Sequence, residues 1–407
     1  MASPPQRPSS LNSARRTVAT YSSYEDAERA VDSLSEASPL RVLIAGGGVA
    51  GLETLMALRG LAGDLVTLTL IAPEDEFVYS PLTAQRPFSV GRIRSVGLPR
   101  AAQDAGAAFV AARAEEVDSE ARTVTLSIGE RMGYDALVLA IGADAIPALE
   151  HVMTWDDRSH SDMVGGLLQD VEDGYTKRLA VVIPAGPVWP LRGYELALLI
   201  SQHAYDMSAD LELTIVEPDP PPLALEGDHA VQLVSEELER AHITRLSANQ
   251  VSLEREHQLA LVLHPSRRTL QVDRVLALPK LRGRPIVGIP GDHDGLTEVD
   301  AHSRVSGIDR VWAVGDCTSF PLKSGGVSTE QADVAARDIA ALAGAPVEPR
   351  VFDSDRVEQF AGLPAGRYLE QWLATAQPGM TMHLPTQGVP ALNYLQKDLA
   401  AGWRGRG

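Results

Sequence analysis

Apolar and polar positions fall in blocks along this chain. Arg41–Leu58 reads RVLIAGGGVAGLETLMAL: an unbroken apolar run from Val42 to Ala45, a glycine turn, then Leu52, Leu55 and Met56 at helical spacing. An unbroken run, as opposed to alternation, predicts a strand buried on both faces. LVTLTLIAP, residues 65–73, predicts the next strand, and YDALVLAIGA, residues 134–143, another that ends near Gly142. At Lys177 the pattern restarts with RLAVVI, a loop, the helix-spaced GYELALLISQHAYD, and LELTIVEP ending near Glu217. A helix over His229–Ala241, short alternating strands and the apolar run Val275–Leu278 follow. Last come RVWAVGD, ending at Gly315 and Asp316, and an alanine-rich helix from about Ser328 to Gly344. Strands alternating with helices predict an α/β fold with parallel sheets.

The two ends differ. Residues 1–16 are rich in Pro and Ser and predict no packed structure. RTVATY reads as a short strand, followed by a helix from Ser22 or Ser23 that carries Ala27, Ala30, Val31 and Leu34 on one face. After Gly344, residues 361–376 and 389–403 predict two more helices. The second, with Leu392, Leu395 and Leu399 in a narrow stripe, is expected to dock on the body.

The glycine turn carries the first chemistry. Gly46, Gly48 and Gly51 fit G-x-G-x-x-G. The first glycine permits the tight turn and the second lets backbone approach a pyrophosphate. The third lets the helix close on the strand, its N-terminus facing the phosphates. The next strand of such a unit usually ends in an acid that holds the adenosine ribose. Here that place is Ala72, with Glu74 two residues on as a substitute. In the second unit the loop is PAGPVWPLRG, with prolines at 184, 187 and 190 in place of the glycines. Proline has no N–H to offer a phosphate. Glu217 stands where a ribose-binding acid would, and reads equally well as a solvated strand end.

Composition narrows the function. A net charge of −18 argues against nucleic acid and against an anionic membrane surface, and 44% apolar residues suffice for a full core. No apolar run approaches a transmembrane span. Arg15 and Arg16 are not followed by an apolar stretch, so a twin-arginine signal is not expected. The one cysteine, Cys317, leaves no disulfide or Cys-pair metal site within the chain and fits a cytoplasmic location.

Together, the glycine fingerprint, LVLAIGA, the second strand–helix–strand unit, VWAVGD and GGVSTEQAD resemble the pyridine nucleotide-disulfide oxidoreductase superfamily of flavoproteins. The branch most resembled holds sulfide:quinone oxidoreductases and type II NADH dehydrogenases. FVYSPL (77–82), PLALEG (222–227) and FPLKSGG (320–326) are similar to stretches in soluble members of it. The resemblance covers about 41–344 and implies two Rossmann-like dinucleotide-binding domains. On this reading residues 1–40 are a flexible extension, 41–150 with 296–344 an FAD-binding domain, and 151–295 a second, degenerate NAD(P)-binding-like domain. Residues 345–407 are a short C-terminal segment.

It further implies that Gly46, Gly48 and Gly51 hold the FAD pyrophosphate and that Ala140 and Gly142 line the path to the cofactor. Gly315 and Asp316 would meet its ribityl-pyrophosphate region, and Lys323 would lie near the isoalloxazine. Val327 would meet the pyrimidine edge through backbone N–H groups. A cation and a helix N-terminus there favour an anionic reduced flavin. The departures shape the chemistry. Sulfide oxidation in this branch uses two cysteines, and this chain has one. The second cradle has lost its glycines, which weakens NAD(P)H binding. The expectation is a soluble FAD-dependent oxidoreductase with NAD(P)H as the favoured donor, a small-molecule acceptor, and room for a homodimer or a protein redox partner. Two alternatives stand beside it. One is oxidation of a small metabolite in the degenerate pocket, near Trp189, Arg192 and Tyr194. The other is a non-catalytic FAD-binding subunit.

Overall fold

In the computed structural model the described residues are 38–78, 87–88, 95–155, 161–254, 258–354, 357, 368, 369 and 371. The helices predicted over 22–34 and 389–403, and Tyr79–Leu82 of the FVYSPL stretch, lie outside them. Within 361–376, Tyr368, Leu369 and Gln371 are helical.

The elements follow the blocks of the sequence. Strand β1 (Leu40–Ala45) leads into helix α1 (Val49–Ala62), then β2 (Val66–Ala72), β3 (Ala108–Ala111) and β4 (Ala136–Leu139). The second series runs β5 (Met153–Thr154), β6 (Arg178–Val182), α2 (Leu191–Asp206), β7 (Glu212–Glu217), α3 (Asp228–Arg240), β8 (Thr244–Ser247) and β9 (Arg274–Ala277). The chain then returns to the first series with β10 (Val311–Ala313) and α4 (Gly325–Leu342).

Two five-stranded parallel sheets result, in the orders β10-β4-β1-β2-β3 and β5-β9-β6-β7-β8. In each, the strand before the glycine- or proline-rich loop lies where strand order reverses, between β4 and β2 or between β9 and β7. Carboxyl ends at such a switch point form the crevice where α/β folds bind ligands. The mixed α/β architecture with parallel sheets is the one expected.

Burial explains the unbroken apolar runs. Val42, Leu43, Ile44 and Ala45 are all buried in β1, as are all four residues of β4. One face of this sheet lies under α1 and α4, and the other packs on Val117, Val124 and Leu126 of a small antiparallel sheet, so its strands carry no polar side. Helix α4 packs on α1 through Ala335, Ala336, Ile339 and Ala340 against a core that includes Leu52, Leu55 and Leu58. Helix α1 also holds the C-terminal segment: the buried Glu53 carboxylate accepts the Tyr368 N–H at 3.0 Å and the Leu369 N–H at 2.7 Å.

Helix α4 starts at Gly325, three residues before the expected Ser328. The reason is a cap: Ser324 is extended, and its hydroxyl accepts the Val327 N–H at 3.2 Å. A good cap allows two glycines in the first turn despite their poor helix propensity. No helix among the described residues is long and apolar enough to cross a membrane.

Candidate functional site

The carboxyl end of the first sheet gathers residues from three distant stretches. Gly46 sits at φ +123°, and a Cβ there would lie 2.1 Å from the Ala140 carbonyl oxygen. A Cβ on Gly51 would lie 1.9 Å from the Gly46 oxygen. The end of β1, the start of α1 and the exit of β4 thus touch at backbone level, where only hydrogen fits. Gly315, at φ +79°, closes the group from β10: its Cβ would be 3.0 Å from that of Ala50 and 3.3 Å from Ser328 Oγ. Its N–H donates to Gln331 Oε1 at 2.8 Å, a buried contact that local sequence periodicity does not announce.

Gly48 is different. Its backbone is extended (φ −78°, ψ −172°), and a Cβ there would have nothing within 4 Å among the described residues. As the residue before α1 it brings no capping side chain, and the first turn carries no acid. The first N–H groups of α1 are left for an outside acceptor, beside open space. A helix start with neither cap nor acid, against glycines that bring backbone close, fits a pyrophosphate. Gly142, at φ +67°, likewise opens on space just past Ala140. Glu74 is exposed and stands two residues past the buried end of β2 at Ala72.

On the α4 side, Lys323 is 2% exposed, and its Nζ donates to the Thr318 carbonyl at 2.5 Å. Burial draws its pKa below the ordinary lysine value, opposed by the negative charges of Asp316, Cys317 when ionised, and Asp292. Asp316 is partly buried in the turn Gly315–Cys317. The Val327 N–H is engaged by Ser324, and the first-turn N–H groups of Gly325 and Gly326 have no acceptor among the described residues. Cys317 packs in the core, its thiol pushed up to about 11 by burial.

The second sheet's switch point is built otherwise. The Arg192 guanidinium, 2% exposed, lies 4.4 Å from the Trp189 ring centre and 5.7 Å from that of Trp155, and pairs with Glu195 at 2.9 Å. Glu217 is not a solvated strand end: it is 3% exposed. One of its oxygens accepts the Tyr194 hydroxyl, and the other accepts Arg245 Nε at 2.7 Å. The loop's Val188 carbonyl accepts the Lys323 N–H at 3.2 Å, which joins this loop to the α4 side of the first site.

Glu226, from the PLALEG stretch, is a buried acid missed by sequence reading. Among the described residues neither carboxylate oxygen has a hydrogen-bond partner, and burial pushes its pKa up to about 8. The only outward signal is one acid at the end of an apolar run. The folded protein holds this proton up to about pH 8, whereas the unfolded chain releases it near the ordinary value of 4.5. Stability therefore falls as pH rises between these limits, by about 1.4 kcal/mol per pH unit at most. Glu226→Gln is expected to melt with wild type near pH 4.5 and progressively above it toward pH 8, read as Tm against pH.

A sequence model of the pyridine nucleotide-disulphide oxidoreductase family matches residues 40–338. The chain is 33% identical to the sulfide-quinone reductase of Aquifex aeolicus over 103 residues, 25% of this chain and 24% of that protein. It is 24% identical over 335 residues to an internal alternative NAD(P)H-ubiquinone oxidoreductase A1, mitochondrial, of Arabidopsis thaliana, covering 71% of this chain and 63% of that one. It thus spans less than two thirds of either relative. Among solved structures, the sulfide:quinone oxidoreductase of A. aeolicus superimposes with a TM-score of 0.66 at 19% identity, over 75% of this chain and 78% of that one.

Proposed function

Since the chain belongs to the pyridine nucleotide-disulphide oxidoreductase family, whose members bind FAD with NAD(P)H as substrate or cofactor, we propose that it is a soluble FAD-dependent oxidoreductase that takes electrons from NAD(P)H and passes them to a small-molecule acceptor. The observation that carries this reading is the convergence of the Gly46–Gly48–Gly51 turn with Ala140, Gly315 and the capped start of α4.

When bound, FAD supplies two-electron transfer through its ring. Everything else falls to the chain. Gly48 and the uncapped start of α1 hold the pyrophosphate, and Gly46 and Gly51 keep that turn against the sheet. Lys323, with the Gly325 and Gly326 N–H groups, supplies positive potential to the ring edge where negative charge gathers on reduction. Its low exposure strengthens that potential by excluding water. The ammonium is held in place by Thr318, whose own hydroxyl donates to the Gly315 carbonyl at 2.9 Å.

Anaerobic titration of the flavin-loaded protein with NADH and then NADPH tests the reading. Bleaching by either supports it, and a yellow protein that resists both sinks the donor assignment. Lys323→Met is expected to retain FAD while being reduced about tenfold or more slowly. A variant that keeps the wild-type reduction rate would remove Lys323 from the ring edge. The proline loop and the Trp189–Arg192 stack favour one second reading, a compact metabolite as donor in that pocket. Resistance to both nicotinamide donors would turn attention to it.

A further inference from the structure

We propose that this protein reads only the nicotinamide mononucleotide half of its donor, so that reduced nicotinamide mononucleotide serves about as well as NADH. The inference rests on the NAD(P)H reading above and narrows its substrate class.

In a dinucleotide-binding unit the acid ending the strand after the helix holds the adenosine ribose hydroxyls. Glu217 ends β7 and occupies that place. Its partners are internal: Tyr194 on one oxygen and Arg245 on the other. Tyr194 is fully buried, and Glu217 is nearly so. Arg245 is committed as well, since its Nη2 lies 2.6 Å from Glu217 and its Nη1 donates to Ser235 Oγ at 2.8 Å. A ribose diol could reach this carboxylate only by displacing a buried phenol or a charge-assisted bond. The exchange would give back about what it gains. A 2′-phosphate meets the same obstacle, because the arginine that could receive it is already paired.

The pyrophosphate that joins the two halves of the donor fares no better. Of the residues from 184 to 190, three are proline and have no N–H. The residue before α2 is itself Pro190, with no capping side chain. Val188, between the last two prolines, uses its carbonyl to bind the main chain of Lys323. The loop that would cradle phosphates instead reaches toward the ring edge of the first site. Trp189 comes with it, half-buried and stacked on Arg192. The groups that would meet the adenosine half are thus absent or already engaged, while the loop's own contact is with the main chain of Lys323.

The test uses the flavin-loaded protein. Anaerobic stopped-flow reduction is measured with NADH, NADPH and reduced nicotinamide mononucleotide. In parallel, calorimetry measures binding of ADP-ribose, which carries the adenosine half without the nicotinamide. The expected result is second-order reduction constants for all three donors within about fivefold of one another, and no heat of ADP-ribose binding at millimolar concentration. Tyr194→Phe, which frees one oxygen of Glu217, is expected to raise the preference for NADH over the mononucleotide about threefold or more. If that variant does not fold, the wild-type comparison decides alone. A preference for NADH of about a hundredfold, or ADP-ribose binding at micromolar concentration, overturns the inference and leaves the NAD(P)H reading standing. A flavin that none of the three donors reduces overturns both.

Discussion

Gly51→Ala is expected to yield a protein that has lost FAD and about 3 kcal/mol or more of stability. The added methyl would lie 1.9 Å from the Gly46 carbonyl oxygen, which is backbone and cannot swing away. Gly46 in turn is packed on the Ala140 carbonyl, so the strain spreads across the start of α1 and the ends of β1 and β4 together. Gly48→Ala is the matched control. The position is extended, and no atom of the described residues stands within 4 Å of the new methyl, so the cofactor-free fold is expected to keep its stability within about 0.5 kcal/mol. Its FAD affinity is nonetheless expected to fall about tenfold, because on the proposed reading the methyl enters the space kept for the phosphates. Melting curves of the cofactor-free proteins and flavin titrations separate the two effects. A Gly48→Ala protein with wild-type FAD affinity would move the phosphates elsewhere.

Asp338→Ala is expected to cost about 3 kcal/mol, measured by denaturant unfolding. This carboxylate on α4 is 5% exposed. It accepts Arg304 Nε and Nη2, each at 2.7 Å, and the Trp312 indole N–H at 2.9 Å. One acid therefore joins the helix to β10 and to the turn before it. Removing it leaves a buried indole donor without a partner, while Arg304, half exposed, returns to water. Asp338→Asn keeps an oxygen for the indole but loses the charge and sets an N–H donor where Arg304 Nη2 had an acceptor, so it is expected to cost about 2 kcal/mol. Equal losses in the two variants would show that the ion pair, and not the indole bond, carries the stabilisation.

What could be read in advance follows the range of the forces involved. The strand–turn–helix at Arg41–Leu58 was legible because glycine spacing and apolar runs are local patterns set by backbone geometry and two-sided burial. The same holds for β6, α2 and β7, which begin and end within a few residues of their apolar blocks. The start of α4 was misplaced because two glycines hide a helix that Ser324 caps. The polar contacts at the switch point of the second sheet were not legible. Arg245 reaches Glu217 from a neighbouring strand, and no periodicity in either segment points to the other. Gln331 on Gly315 and Glu53 under Tyr368 and Leu369 are of the same kind: partners set by packing across the fold. Glu226 hid for another reason, since its burial without a hydrogen-bond partner among the described residues runs against the rule that buried acids are paired.

The bond between the Val188 carbonyl and the Lys323 N–H, with the bridge that pairs Val188 with Leu322, couples the proline-rich loop of the second sheet to the segment leading into α4. A shift of the proline-rich loop is therefore carried into the backbone of Lys323, and the two segments are expected to respond together to whatever perturbs either one.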